Sequence, residues 1–379
     1  MRRNGFPVFC FFFLAICCLN SVQGQEQPFT IPSVRFSALG GNHAAVGDSF
    51  HAIFTNPASF VDIKGQFSAA ELSFTTYGPV YELVDFIVSS SGSLDSLDFT
   101  GILGGKKKLS TGFDLAGPLS LGWVGKGLGL GLFSRVKADV VAGFTEVKPG
   151  FSGELILTGG YSFRIINRNS NYLDAGFLGK GFFRGMLNIT TTILDIPSLI
   201  DDPLNRPFET YLGMGLDLGL KYSYGNVFSL AAVCFDVYSP VLVTPYNSVS
   251  DLIGFASPMD SSYSRVNRRL DFGIKFRLTN TVIDRYFTNL TFMADYHDLL
   301  DLFSDLPRNP LLNVGAGVEV KVLSALSFRF GMADALPAFG IGLNLSFLTF
   351  DFAIFGKELG NEPGLKSTYG LGVGILFRY

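Results

Sequence analysis

Residues 212–222 read Leu212-Gly-Met-Gly-Leu-Asp-Leu-Gly-Leu-Lys-Tyr222, and their period is two. Leu212, Met214, Leu216, Leu218, Leu220 and Tyr222 share one face, while Gly213, Gly215, Asp217, Gly219 and Lys221 share the other. Side chains alternate across a strand, so this stretch is a strand with one bulky apolar face and one face of charge and glycine. The split recurs at Leu270, Phe272, Ile274 and Phe276 against Asp271, Gly273, Lys275 and Arg277. It recurs again where Val314, Ala316, Val318 and Val320 oppose Gly315, Gly317, Glu319 and Lys321.

Alternation alone fits any half-buried strand, so composition has to decide its setting. Charged residues make up 16% of the 379, against about 25% in an ordinary soluble chain, and hydrophobic residues 47%. Beyond the first 25 residues no stretch reaches the roughly 18 uncharged apolar residues of a membrane helix. The remaining spanning solution is a closed β-barrel, apolar towards lipid and polar towards its lumen. The 44 Gly, 39 Phe and 14 Tyr are a strand-and-turn composition that argues against a helical bundle or a Rossmann-type enzyme. A net charge of -3 argues against a nucleic-acid partner.

Fourteen candidate strands follow, near 65–76, 117–124, 127–141, 151–166, 171–187, 209–224, 226–238, 269–279, 287–298, 312–323, 325–333, 338–347, 349–357 and 367–379. Their connections alternate between long and short. The long ones fall at 77–116, 142–150, 188–208, 239–268, 299–310 and 358–366, with a weaker one at 334–337. That alternation is the habit of outer-membrane barrels, which have short periplasmic turns and longer outside loops. The last strand sets Tyr369, Leu371, Val373, Ile375, Phe377 and Tyr379 on one face, so Phe377 and Tyr379 resemble the C-terminal signal read by the barrel assembly machinery.

The N-terminus reads as a targeting segment, residues 1–24. Arg2 and Arg3 precede an apolar run from Val8 to Leu19, and Val22-Gln23-Gly24 suits cleavage after Gly24. Leu14-Ala15-Ile16-Cys17 loosely resembles a lipobox, with Ile16 a poor residue before the cysteine. Cys10, Cys17 and Cys18 leave with that segment, and Cys234 is read as a small apolar strand residue.

Residues 25–64 do not alternate. They are rich in small residues, too few for a soluble domain of ordinary size, and suited to fill the lumen of a barrel too wide for wall side chains to close. Ala38-Leu39-Gly40-Gly41, Ala44-Ala45, Asp48 and Asn56-Pro57-Ala58 resemble the plug segment of the FadL family of outer-membrane transporters for long-chain fatty acids and other hydrophobic compounds. The likeness is closest to spirochaetal FadL-like proteins. It departs at Ser59-Phe60, where the family usually continues with Gly or Ala and then Leu. The resemblance implies a monomeric fourteen-strand barrel over 65–379, a plug at 25–64, and a hydrophobic route leaving sideways through a gap in the wall. Pro57 fixes φ and biases Asn56 towards extended backbone, and Gly40-Gly41 lets the chain pass close to the wall.

The expected function is passive import of a hydrophobic small molecule such as a fatty acid across the outer membrane of a diderm bacterium, without a cofactor or a nucleotide. Ligand would collect among outside-loop residues Leu83, Phe86, Ile87, Leu242 and Phe255. It would then reach a pocket of Phe29, Ile31, Phe36, Phe50 and Phe54. Arg135, Lys137, Lys180 and Arg184 point inward and could meet a carboxylate head group, or pair with lumenal acids in a ladder. The glycines from Gly125 to Gly131 suit a bend or lateral opening, or room for the plug. His43, Asp48 and His51 could share a rough helical face, but further metal ligands are missing and no metal is expected. Lys106-Lys107-Lys108 is a solvated loop that could attract anionic ligands or lipopolysaccharide-like surfaces. No Ser-His-acid set supports a hydrolase. The other reading is a structural barrel serving as a surface adhesin or a secretion-system partner.

Overall fold

The computed structural model describes residues 26–79, 109–143, 146–192, 205–254, 257–278, 289–322 and 325–378. The targeting segment, Tyr379, the Lys106–Lys108 run and four of the five expected outside-loop residues (Leu83, Phe86, Ile87 and Phe255) lie outside the described residues. Fourteen strands form one closed antiparallel ring. They are β1 (Gln66–Tyr77), β2 (Leu109–Gly125), β3 (Leu128–Ala142), β4 (Glu146–Arg168), β5 (Asn171–Asn188), β6 (Phe208–Tyr224) and β7 (Phe228–Tyr238), then β8 (Arg269–Leu278), β9 (Asn289–Tyr296), β10 (Val314–Val322), β11 (Leu326–Ala333), β12 (Leu336–Leu345), β13 (Leu348–Glu358) and β14 (Ser367–Arg378). Each pairs with the next, and β14 closes on β1 with Leu72 opposite Ile375.

Strand number and order match the sequence reading, and the boundaries differ where local chemistry hid them. β2 begins at Leu109 rather than near 117, because Gly117-Pro118 reads as a break yet forms a bulge inside the strand. β3 and β4 pair as far as Ala142 and Val147, so the long connection expected at 142–150 contracts to three residues. The connection at 239–268 carries a second hairpin, Pro240–Tyr246 with Ser262–Arg265, which continues β7 and β8 at the long-loop end. At the short-turn end Asn169 and Ser170 both take positive φ (47° and 66°), as a two-residue hairpin with right-handed strand twist requires.

The two faces separate as the alternation demands. Leu212 and Met214 are each 58% exposed, whereas Asp217 and Lys221 are buried inside the ring. Ile274 and Phe276 face outward, with Gly273 and Asp271 inward. Leu220 and Leu270 are covered rather than lipid-facing. They cluster with Ala232 and Cys234 on the outer face, under Leu299 and Leu300.

Residues 26–64 run against the inner face of the ring, and the inward glycines are where they touch it. Val34 lies on Gly372 and Gly374, Ala38 on Gly340, and Leu39-Gly40 on Gly315, Gly317 and Gly331. Ala45 follows on Gly273, Phe50 on Gly122, Asn56-Pro57 on Gly219 and Gly176, and Phe60 on Gly129. A Cβ on Gly40, whose φ is +86°, would sit 2.4 Å from the carbonyl oxygens of both Ala316 and Met332. Gly129 seats Phe60 of this segment and Gly125 seats Gly65 just after it, whereas Gly127 abuts the Ser162 carbonyl and Gly131 the Phe133 ring of the wall. The segment has little regular structure: a helical turn α1 (Val34–Ala38), a second α2 (Ala52–Thr55) and a 3-10 turn from Pro57 to Asp62.

Candidate functional site

On the side of β2 to β7, the inner segment and the wall build an aromatic chamber. Phe29, Ile31, Phe50 and Phe54 enter one buried cluster with Phe60, Phe133, Ile156, Phe182, Tyr211 and Val241. Phe29 stacks on Phe182 with ring centroids 3.7 Å apart, and Phe54 meets Phe133 edge-on at 4.7 Å. Phe36 does not join them. It turns to Leu39, Val46 and Met293 in a separate cluster, because α1 faces the opposite wall. Leu242 also leaves the expected ligand path. It pairs with Leu212, on the outward face.

The chamber is full. A gap of only about 10 Å³ remains among Phe29, Ile53, Phe54, Lys180, Asp217 and Asp236, at most the space of a single water. What fills it are Phe29 and Ile31 of the inner segment. Glu26 is tied to the hairpin at the long-loop end, its N–H donating to the Arg265 carbonyl and its own carbonyl accepting from Asn267 N–H (both 3.0 Å). From there residues 27–33 descend into the chamber.

Three of the four expected cations border it. Arg184 lies 3.7 Å over the Phe29 ring, donates to Glu154 (2.8 Å) and reaches the Gln27 carbonyl (3.3 Å). Arg135 clasps Asp114 and donates to the Thr30 carbonyl (2.8 Å). Lys180 sits 2.8 Å from both Asp217 and Asp236. Lys137 does not come to the chamber and pairs with Asp139 at 3.3 Å in a half-exposed position. The ladder of paired charges is therefore what the strands carry. The sequence pattern missed Asp236, which enters the lumen through a bulge in β7 at a φ of 55°. Phe182 and Tyr211 were missed because alternation assigns a face and says nothing of which inward residues converge.

On the side of β8 to β14 the same segment is held by ions. Arg35 donates to both carboxylate oxygens of Asp48 (2.8 and 3.0 Å) and both of Glu319 (3.0 and 2.8 Å). Arg329 joins Glu319 to Asp351 (2.9 and 2.5 Å). Burial opposes ionisation of Asp48, but Arg35 beside it holds the carboxyl well below its usual range. His43 and His51 part company, since residues 43–51 form turns rather than a helix with one face. His43 lies 2.5 Å from Asp295, and His51 lies 2.8 Å from Glu71 of β1. Burial would lower the His51 pKa, yet the Glu71 carboxylate outweighs it and raises the value above 6.5.

Asn56 is the hinge between the two sides. Its side-chain oxygen accepts from Ala58 N–H (2.9 Å) and its amide donates to the carbonyls of Ala44 (3.1 Å) and Leu220 (3.2 Å). The Asn-Pro-Ala run thus starts a 3-10 turn with Pro57 in its first position and bolts that turn to β6.

One place in the wall is loosely knit. Between Ser68 and Ser73 of β1 the regular pairing with β2 lapses, opposite the bulge at Gly117. Gly117 has φ +89° and abuts the Glu71 carbonyl. Glu71 Oε2 and Ser120 Oγ are buried there without a hydrogen-bond partner, and Phe50 of the chamber lies against the neighbouring Gly122. Below the chamber, at the short-turn end, a polar vestibule of about 850 Å³ is lined by Asp48, Asp62, Arg164, Lys221 and Lys275.

No family model and no curated protein matches the sequence. Among solved structures, the chain is similar to the toluene transporter TbuX of Ralstonia pickettii, with 13% identity over 93% of this chain and 98% of that one and a TM-score of 0.48. It is similar to the toluene transporter TodX of Pseudomonas putida (10% identity, 93% and 99% covered, TM-score 0.47). A FadL homologue of Pseudomonas aeruginosa gives 12% identity, 94% and 99% covered, and a TM-score of 0.46. These values are too low to carry a ligand or a route across.

Proposed function

We propose that this barrel is an outer-membrane passive importer of hydrophobic small molecules, long-chain fatty acids among them, and that residues 25–64 are its plug. The observation that carries the reading is the aromatic chamber occupied by the chain's own Phe29 and Ile31. These residues hold, by apolar burial and a few carbonyl hydrogen bonds, the volume that an acyl chain or apolar ring needs. Withdrawal of residues 27–33 frees one guanidinium donor each on Arg135 and Arg184, now engaged by Thr30 and Gln27. A carboxylate can take those donors while the apolar tail takes the place of Phe29. The lapse in β1–β2 pairing beside Phe50 offers a sideways exit that spares the tail the polar vestibule. Tyr238 and Tyr369 at the long-loop end and Tyr224 at the short-turn end, each more than half exposed, fit the aromatic girdles of a membrane barrel.

Native mass spectrometry of gently extracted protein tests this directly, together with uptake of a fluorescent fatty acid into vesicles. Lipid bound once residues 27–33 are deleted, and faster uptake than in the intact protein, are expected. A chamber so completely filled also suits a non-transporting adhesin or secretion-system partner. Protein that carries no lipid, with uptake unchanged by the deletion, assigns the barrel to that class.

A further inference from the structure

Residues 297–313, which join β9 to β10, form a braced loop that the importer reading does not use. Its first end is fixed by Asp271, which accepts from Asp298 N–H (2.9 Å) and meets His297 Nδ1 (3.2 Å). Its second end is fixed by Arg308, which donates to Asp334 and to the Glu358 carbonyl (both 2.7 Å). Arg308 N–H also donates to Asp301 (2.9 Å), which ties the loop across itself.

Between these anchors the 3-10 turn Leu299–Phe303 packs against β8. Leu299 and Leu300 join Leu220, Ala232, Cys234 and Leu270 in one cluster. Ala231, Val233 and Asp271, the alternate residues of the same strands, face inward, so this cluster is on the outside of the ring. Ile274, farther down the same strand, is 46% exposed, while Leu270 is sealed. Immediately beyond, the turn presents Leu302, Phe303 and Leu306, exposed by 38%, 72% and 84%. Single exposed apolar residues are ordinary, but three within five positions on a braced loop, contiguous with the outward apolar face, form a patch with a purpose.

We propose that this loop is a membrane foot: it folds over the rim of β7 and β8 and seats Leu302, Phe303 and Leu306 among the acyl chains of the outer leaflet. The inference rests on the reading of the strands as membrane-spanning. Lipid is the occupant because Leu299 and Leu300 already lie on the face that meets lipid, so the exposed side of the same turn continues that face without a break. The bracing by Asp271 and Arg308 removes the ordering cost that a floppy loop pays on burial.

Trp123 is the single tryptophan, which makes the test clean. In a Trp123→Phe background, Phe303→Trp is reconstituted into vesicles of phosphatidylcholine brominated either near the head group or deep in the acyl chain. Phe276→Trp, on the outward face of β8, is the control. The expected result for the Phe303→Trp variant is a blue-shifted emission that loses most of its intensity to the shallow bromines and less to the deep ones. Strong quenching of the Phe276→Trp control with a red, unquenched emission from the loop variant overturns the foot and leaves the membrane reading intact. A blue-shifted loop indole insensitive to bromine means that protein, a second copy included, covers the apex, and it too overturns the proposal. An unquenched control overturns the membrane reading itself and the foot with it. Leu306→Trp repeats the measurement if the first variant fails to fold.

Discussion

The inner segment is held to its barrel in two different ways. Towards β2–β7 it is held by rings and aliphatic chains, with Phe29 on Phe182 and Phe54 on Phe133, and only its far end is ionic, where Asp62 meets Lys221 and Arg164. Towards β8–β14 it is held by Arg35 between Asp48 and Glu319 and by His43 on Asp295. Apolar contact is non-directional and can be exchanged for contact with a ligand. A buried ion pair cannot be exchanged so cheaply, because breaking it leaves a charge without a partner in a dry place. The aromatic stretch around Phe29 is therefore the part that can open, while the ion pairs of Arg35, His43 and Asp62 keep the segment attached as it does.

The largest expected effect comes from a substitution that ignores this division and unseats both sides together. Gly219→Leu places a side chain where Asn56 now sits, its Cβ 2.0 Å from Asn56 Oδ1. The ring should still close, since Gly219 keeps its pairing with Gly176 and Val233, but single-channel conductance in planar bilayers should rise to that of an open pore. A closed channel in this variant would show that the segment finds another seat.

Arg35→Met attacks the ionic side alone. It takes the guanidinium from Asp48, whose side chain is 41% exposed, and from Glu319, which keeps Arg329, so the cost should stay under the roughly 3–5 kcal/mol of a fully buried pair broken on one side. Proteolysis of folded protein should then cut within residues 34–48. Asp48→Asn added to Arg35→Met should recover part of the loss, and failure to recover any would mean that Asp48 is not stabilised by Arg35.

Phe29→Ala attacks the aromatic side. A buried Phe→Ala change costs about 3–5 kcal/mol in a core that cannot collapse into the void. Fatty-acid uptake should rise while small-solute leakage stays low. Equal rises in both would erase the distinction between the side that opens and the side that holds.

The smallest effect is one of pH. His51 pairs with Glu71 and its pKa is raised above 6.5 by that carboxylate, against the effect of burial. The stabilisation is complete below 6.5 and lost as pH rises through the raised folded value, so the grip of the segment on β1 should weaken on the alkaline side. Thermal melts across that window should slope downward in the native protein and lie flat in His51→Gln.

Most of the architecture was legible because a period of two is written residue by residue. The ring of fourteen strands, the inward Asp217 and the outward Leu212 all follow from it. The bulges were not legible. Gly117-Pro118 reads as the end of a strand, and Asp236 follows Phe235 in a run that looks regular. Only pairing with β2's and β7's neighbours reveals the extra residues. The site was half legible. Phe29, Ile31, Phe50 and Phe54 converge as expected, but Phe36 departs because convergence depends on the turn each residue rides. The acids that pair with Arg135, Lys180 and Arg184 come from adjacent strands, and one sequence without its register cannot assign them.

The wall glycines carry a consequence for how the chain is made. Val34 lies against Gly372 and Gly374, so the beginning of the segment leans on the last strand of the barrel. Such a contact spans nearly the whole polypeptide, and contacts of that reach form late because the loop they close is long. The segment precedes every strand in the chain, yet part of its final berth does not exist until β14 has paired with β1. Until that seam shuts, Val34 and its helical turn lack their wall, while Phe29, Phe50 and Phe54 can already meet β2, β3 and β5.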